Sequence, residues 1–308
     1  MQPPPQSPSP RRRPATVEEF RAIVRERSAT PLFAPPGFVV RPSDVLIATY
    51  PKCGTTWVQQ IVHGLRTGGS MDFEEISMVV PWIETAPLLN IDLDAPQVAT
   101  PRAFKTHLPW HLLPKGGRNI FVTREPGDVI VSFYHFMKGV TFDGDAIDLE
   151  TFVFELVLAE IPTGRWWEHL RAWWPVRGRD DVLMLCYEDM KDDLRTAVAR
   201  IAAFCGIDAD DALIDLATRQ AEYDFMRAHG TQFDDHPTIA AFTKLQGLPP
   251  ARTTKVRTGR VGDRTRELSP RVVTMLEERW RREIAEPLGL ASYEDVRATL
   301  RAEAAAAD

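Results

Sequence analysis

The 308-residue chain has three cysteines, no long apolar run and no excess of positive charge. Each shortage excludes a class of protein. Cys53, Cys186 and Cys205 are too few and too scattered for a disulfide framework or a zinc knuckle. Cys186 and Cys205 lie in apolar segments and read as core thiols, which suits a reducing, cytoplasmic setting. No stretch approaches the roughly 18 apolar residues of a membrane span. Residues 1–15 carry six prolines and three adjacent arginines but no apolar run of signal-peptide length, so a disordered tail is expected there. A net charge of −6 argues against general binding of nucleic acid or membrane surfaces, so any anion site must be a local gathering of basic groups. What is present, 44% apolar and 26% charged residues, is the make-up of a globular protein. A single domain is expected over 16–308, opening on a capping box of Thr16 and Glu19.

The most informative stretch is VLIATYPKCGTTW, residues 45–57. Val45 to Ala48 form the continuous apolar run of a parallel strand covered on both faces. Pro51 stops strand pairing, Gly54 permits a tight turn, and Thr55 or Thr56 is placed to cap the helix that follows. Apolar residues at Trp57, Val58, Ile61, Val62 and Leu65 give that helix a core-facing stripe. Free N–H groups at a helix start, beside the Lys52 ammonium and two hydroxyls, make an anion site. An ordinary strand–helix turn with a solvated lysine would share the Pro-Lys-x-Gly spelling. The order of residues is not that of a P-loop, which ends in Gly-Lys-Ser/Thr.

Further along, residues 67–100 are rich in Pro, Gly and Asp and read as an excursion able to wall a pocket, with Trp82 in it. Ala103 to Thr106 is a short strand, Asn119 to Thr123 another, and a helix starts near Pro126 with Val129, Ile130 and Phe133 on its apolar face. Trp166, Trp167, Trp173 and Trp174 share one helical face with Leu170, which reads as core. DVLMLCY at 181–187 is the next strand, Asp193 to Phe204 a helix stopped by Gly206, and Ser269 to Ala285 the closing helix. RAEAAAAD at the end reads as a fraying helix tail. The alternation predicts one α/β domain, a parallel sheet flanked by helices in the layout of the P-loop nucleotide kinases.

Four separated pieces, YPKCGTTW (50–57), KTHLP (105–109), TREPGDVIVSFYHF (123–136) and YEDM (187–190), occur together in one order. They resemble the cytosolic-type, soluble sulfotransferases that use 3′-phosphoadenosine 5′-phosphosulfate (PAPS), and a bacterial member is expected. Cys53 stands where that family usually has serine. GRWWEHLRAWW (164–174) and VRTGRVGD (256–263) extend the likeness, although Thr258 replaces a lysine and Arg264 a tryptophan. The resemblance implies sulfuryl transfer from PAPS to a hydroxyl or amine of a small acceptor, leaving adenosine 3′,5′-bisphosphate (PAP), with no metal. It assigns the base to His107, places Lys105 beside the transferring group, and gives Lys52 the charge growing on the leaving phosphate. A histidine titrating near neutrality suits the first task. It further implies that Lys52, Cys53, Gly54, Thr55 and Thr56 hold the 5′-phosphate. Arg124, Ser132, Arg257, Thr258 and Gly259 would hold the 3′-phosphate, and Trp57, Tyr187 and Tyr223 the adenine. Ala221 and Glu222 stand where the family has threonine and serine.

Other readings compete. Arg124 could merely pair with Asp128, and the basic cluster from Arg252 to Arg266 could be a solvated face. An ATP-dependent small-molecule kinase and a catalytically idle nucleotide-binding protein remain the alternatives in function. Against the first stand the missing Gly-Lys-Ser/Thr and the want of a magnesium aspartate after an apolar strand; against the second, His107 beside the loop. Trp82, Phe142, Phe233 and Phe242 suggest a partly hydrophobic acceptor. The family's dimer stretch KxxxTVxxxE is replaced here by TRELSPRVVT, residues 265–274, so that dimer is not expected.

Overall fold

The computed structural model describes residues 11–28, 34–35, 37–144, 146–157, 165–251 and 253–307. Four strands, β1 (Val45–Thr49), β2 (Ala103–Thr106), β3 (Arg118–Thr123) and β4 (Val182–Cys186), pair in parallel in the order β2-β1-β3-β4. Val45 stands opposite Ala103 on one side and Arg118 on the other, and Asn119 opposite Val182. Successive side chains leave opposite faces of a strand. Val45, Ile47, Ile120 and Val122 accordingly pack on one face, under helix α2 (Thr55–Arg66) and the helices Leu194–Cys205 and Asp211–Ala221. Leu46, Ala48, Phe104 and Phe121 pack on the other, against Trp166, Trp173 and Trp280. Apolar cover on both faces is what the unbroken strand sequences require. The four tryptophans of 166–174 belong to this core, Phe121 lying 4.7 Å from Trp173 in a stacked pair.

The chain leaves β1 toward β2 on one side and returns to β3 on the other. A crevice therefore opens past the carboxyl ends of β1 and β3, the usual place for a ligand in an open α/β sheet. The opposite edge is closed by a buried ion pair: Asp44, just before β1, receives Arg102, just before β2, through two hydrogen bonds of 2.9 and 2.6 Å.

Several local expectations change. The cap position of α2 is Gly54, left-handed at φ 101°, and neither threonine caps the helix. Thr55 Oγ1 is instead 2.5 Å from Thr49 Oγ1, inside the loop. A helix, His236–Leu245, forms within residues 227–265, whose sequence carries no long periodic run, and the chain closes with Tyr293–Ala307 after the helix Pro270–Trp280, burying Val296 and Leu300. Phe142 and Phe233 are fully buried in the core and do not face the crevice. Of the Thr16–Glu19 capping box, Thr16 Oγ1 accepts from the Glu19 N–H at the start of α1 (Val17–Ser28), while the Glu19 carboxylate accepts from the Ala15 N–H, one residue earlier. Of the expected tail, residues 1–10 lie outside the described residues, as do Gly164 and Arg252. Arg13 donates to the carbonyls of Pro249 and Pro250 and pairs with Asp143.

Candidate active site

At the carboxyl end of the sheet is a cavity of about 840 Å³, lined from the strand ends, α2, and the segments 132–140, 218–246 and 255–263. Every site residue named from the sequence lines it except Cys53. The Cys53 thiol is fully buried, raised by that burial far above the ordinary thiol range, and its N–H donates to Tyr50. Facing the core, it gives the loop its shape rather than a contact.

The loop presents charge and open donors together. Lys52 sits at a positive φ of 72°, a conformation that non-glycine residues rarely adopt. Its ammonium lies 4.2 Å from the Phe136 ring and has no ion pair among the described residues. Burial first, then the nearby Lys255, Arg124 and Lys105, push its pKa well down. Cations crowded in this way call for an anion. The first turn of α2 points at the same space without a side-chain cap.

Arg124 extends from the end of β3 over the Tyr187 ring, 4.3 Å away, and donates 3.0 Å to the Arg260 carbonyl. Its distance to Asp128 is 3.8 Å, and Asp128 is already engaged by the N–H groups of Gly262 and Arg264. The simple ion pair is thus not the whole of its environment: its buried Nε lacks a partner among the described residues. Asp128 ties the helix Pro126–Met137 to the glycine-containing turn 259–262 and brings Arg257 and Thr258 to the rim, both bonded to Asp263. Tyr223 donates to the Arg257 carbonyl at 2.9 Å and lies against Gly259, where a Cβ would come within 2.5 Å of the ring. Only glycine fits there, at φ 60°. Trp57 and Tyr187 meet edge to face at 5.1 Å, and Trp57 Nε1 donates to the Ala221 carbonyl. Ser132 completes the lining beside Arg124.

His107 follows β2 by one residue. Its Nδ1 is 2.8 Å from the Thr49 carbonyl, the last of β1. A carbonyl only accepts, so Nδ1 carries the hydrogen and Nε2 keeps a lone pair. Burial, followed by the Lys105 charge, holds the ring well below the ordinary histidine pKa, hence neutral. Trp82 packs edge-on at 5.0 Å, and Glu84 accepts the His107 backbone N–H at 2.6 Å. Lys105 lies under the Trp82 ring, 4.2 Å away, and pairs with Asp235 at 2.9 Å. Lys255 reaches the same carboxylate. Asp235, Lys255, Glu75 and Glu84 escaped the sequence reading. Asp235 and Glu75 lie in segments with no repeating pattern, and Lys255 was one of several basic residues with nothing to single it out.

Gathered cations, the uncapped first turn of α2, aromatic rings and a neutral histidine thus line one cavity at the carboxyl end of an α/β sheet. The family model "Sulfotransferase domain" matches residues 42–297, and the chain belongs to that family. Sulfotransferase 1E1 of Bos taurus is 32% identical over 236 residues, 73% of this chain and 78% of that protein. Sulfotransferase 1C2 of Oryctolagus cuniculus is 31% identical over 237 residues, with the same coverage of 73% and 78%. In fold the chain resembles mouse sulfotransferase SULT7A1 complexed with PAP, with a TM-score of 0.63, 20% identity, and coverage of 92% of this chain and 93% of that one. The enzyme is a sulfotransferase that takes its sulfuryl group from PAPS and passes it to a small acceptor. The kinase reading is thereby set aside. No helix among the described residues is long and apolar enough to cross a membrane.

Proposed function

We propose that His107 is the general base of this sulfotransfer and that Lys52 stabilises the charge of the leaving phosphate. The observation that carries the reading is the fixed tautomer of His107. With Nδ1–H held by the Thr49 carbonyl, Nε2 is a permanent acceptor in the cavity that Lys52 and α2 also line. The donor brings the sulfuryl group and a phosphate as leaving group; the rest is done by the chain. The open N–H groups of the α2 start, with Gly54, Thr55 and Thr56, suit the 5′-phosphate. The fork of Arg124, its Nε unpartnered, suits the 3′-phosphate with Ser132, Arg257, Thr258 and Gly259. Trp57, Tyr187 and Tyr223 offer flat faces to adenine, and Ala221, whose carbonyl is taken by Trp57, supports the first of them. Cys53 serves from the core side.

Beyond the lysines the cavity wall is apolar: Phe133, Met137, Val140, Ile239 and Phe242 follow Trp82 around it. A partly hydrophobic hydroxyl acceptor, such as a phenol, a sterol-like alcohol or a lipid, fits this wall. Three buried free thiols suit a cytoplasmic protein. The stretch Thr265–Thr274 starts a helix capped by Ser269 with Pro270 at its first position, so we infer no dimer through it. Light scattering that found a dimer lost on changing Ser269 to Val273 would overturn this.

The test of the nucleotide reading is thermal. PAP should raise the melting temperature more than AMP does at equal concentration, because two separate phosphate sites are provided. Equal shifts would remove the 3′-phosphate assignment.

A further inference from the structure

Asp235 is an aspartate at the cap position of a helix, His236–Leu245, yet its side chain makes no cap bond. Aspartate at that position ordinarily accepts an N–H of the first turn. Here the residue adopts φ 62°, a left-handed conformation uncommon outside glycine, asparagine and aspartate, and its carboxylate is buried in the cavity wall. Glu75 supports the turn: its Oε1 accepts the Asp235 N–H at 3.2 Å, while Oε2 accepts Ser77 N–H at 2.7 Å. Ser77 Oγ donates to Asp235 Oδ1 at 2.6 Å. The other oxygen, Oδ2, carries two ammonium groups, Lys105 at 2.9 Å and Lys255. A local conformation has thus been given up to aim one carboxylate at two lysines.

Sharing has a chemical consequence. An anionic donor entering the cavity would draw the Lys105 ammonium toward itself. Were Asp235 its private partner, that movement would strand a buried carboxylate beside another anion. Lys255 removes the difficulty by remaining.

We propose that Asp235 is a positioning residue for Lys105, holding its ammonium against Trp82 and beside His107, and that Lys255 retains the carboxylate when Lys105 turns to the sulfuryl group. This rests on the sulfotransferase reading of the site. Asp235 itself is not a base: both oxygens are engaged, and although burial opposes it, Lys105 and Lys255 hold its carboxyl far below the ordinary range. Glu75 is moved the other way, by burial and then by Asp235. The charged or titratable groups facing Lys105 are Asp235, Lys255 and Glu75, with Lys52 and His107 across the cavity. Burial lowers Lys105 to about 8, Asp235 working to raise it and Lys255 to lower it further.

The chain has seven lysines, few enough for each side-chain signal to be resolved and assigned by NMR of lysine labelled at Cε. In the free enzyme Asp235→Asn should lower the Lys105 midpoint, and Lys255→Met should raise it, each by about one unit, a tenfold change in proton affinity. The double variant should return it toward the wild-type position. In turnover, the alkaline limb of kcat/KM for the donor should move the same way, downward in Asp235→Asn and upward in Lys255→Met. Lys255→Met should also lose kcat, because its Lys105 is held more tightly. Midpoints that stay put, or move together in both variants, overturn the proposal. So do opposed midpoints with an unmoved alkaline limb. The NMR titration needs no donor, so a wild-type enzyme inert toward PAPS would count against the functional reading and leave this part of the result standing.

Discussion

The two ends of β2 each bury a carboxylate against a cation, and they do opposite things. At the amino end Asp44 and Arg102 form a two-bond fork, 0% and 6% exposed at their side chains, with Arg102 also donating to the Leu93 carbonyl. All three nitrogens of that guanidinium donate. At the carboxyl end, three residues on, Lys105 has one carboxylate and must share it with Lys255. A saturated pair holds the edge of the sheet together; an undersupplied one leaves cations available to an incoming anion. The difference lies in partners per charge, since burial is nearly the same at both ends.

The sharpest way to test that contrast is at His107. His107→Ala should lower turnover by about 10²–10⁴-fold, while PAP affinity by calorimetry stays nearly unchanged. Lys52→Ala should instead cost both rate and donor affinity, since its ammonium serves ground state and transition state together. Turnover retained per folded His107→Ala molecule would reduce the residue to a filler of the strand end.

Arg102→Met addresses the other end. It strands Asp44 in the core and should cost about 3–5 kcal/mol in urea unfolding, with turnover per folded molecule intact. A rate loss matching the stability loss would show that the two ends are not separable.

The smallest effect is in acid. His63, on α2 near the amino edge of the sheet, is lowered to about 4 by burial and then by Arg66, whose guanidinium is 3.3 Å from Nδ1. Its folded pKa lies below the ordinary 6.5, so the stability it contributes is present above pH 6.5 and is lost as pH falls toward 4. The loss is up to about 3 kcal/mol. His63→Gln should flatten stability between pH 6.5 and 4, measured by urea unfolding, whereas Lys105, lowered to about 8 from the ordinary 10.5, affects stability on the alkaline side, between those two values. An unchanged acid slope would remove His63 as its cause.

The same contrast explains what could be read from the sequence. Strands, α2 and the phosphate loop were legible because an apolar run, a proline and a glycine must occur at fixed spacing for a strand to end in a turn at a helix start. Arg124 and His107 follow strand ends in short local motifs. Asp235 and Lys255 come together with Lys105 only through tertiary packing, from segments 130 and 150 residues further along, so no local spacing records them. The missing side-chain cap of α2 has a related cause. Thr55 was free to cap in isolation, but folding placed Thr49 opposite its hydroxyl.

The partner that orients His107 belongs to the main chain. A catalytic histidine steered by an aspartate side chain is lost when one codon changes that aspartate. The carbonyl of Thr49 is present whatever residue is encoded there, and it is aimed by the pairing of Ala48 with Thr106. The orientation of the His107 ring is therefore inherited from strand register, and a slip of register would abolish it. The side chains of the cavity wall at Phe133, Val140 and Phe242 take no part in the bond that fixes the His107 ring.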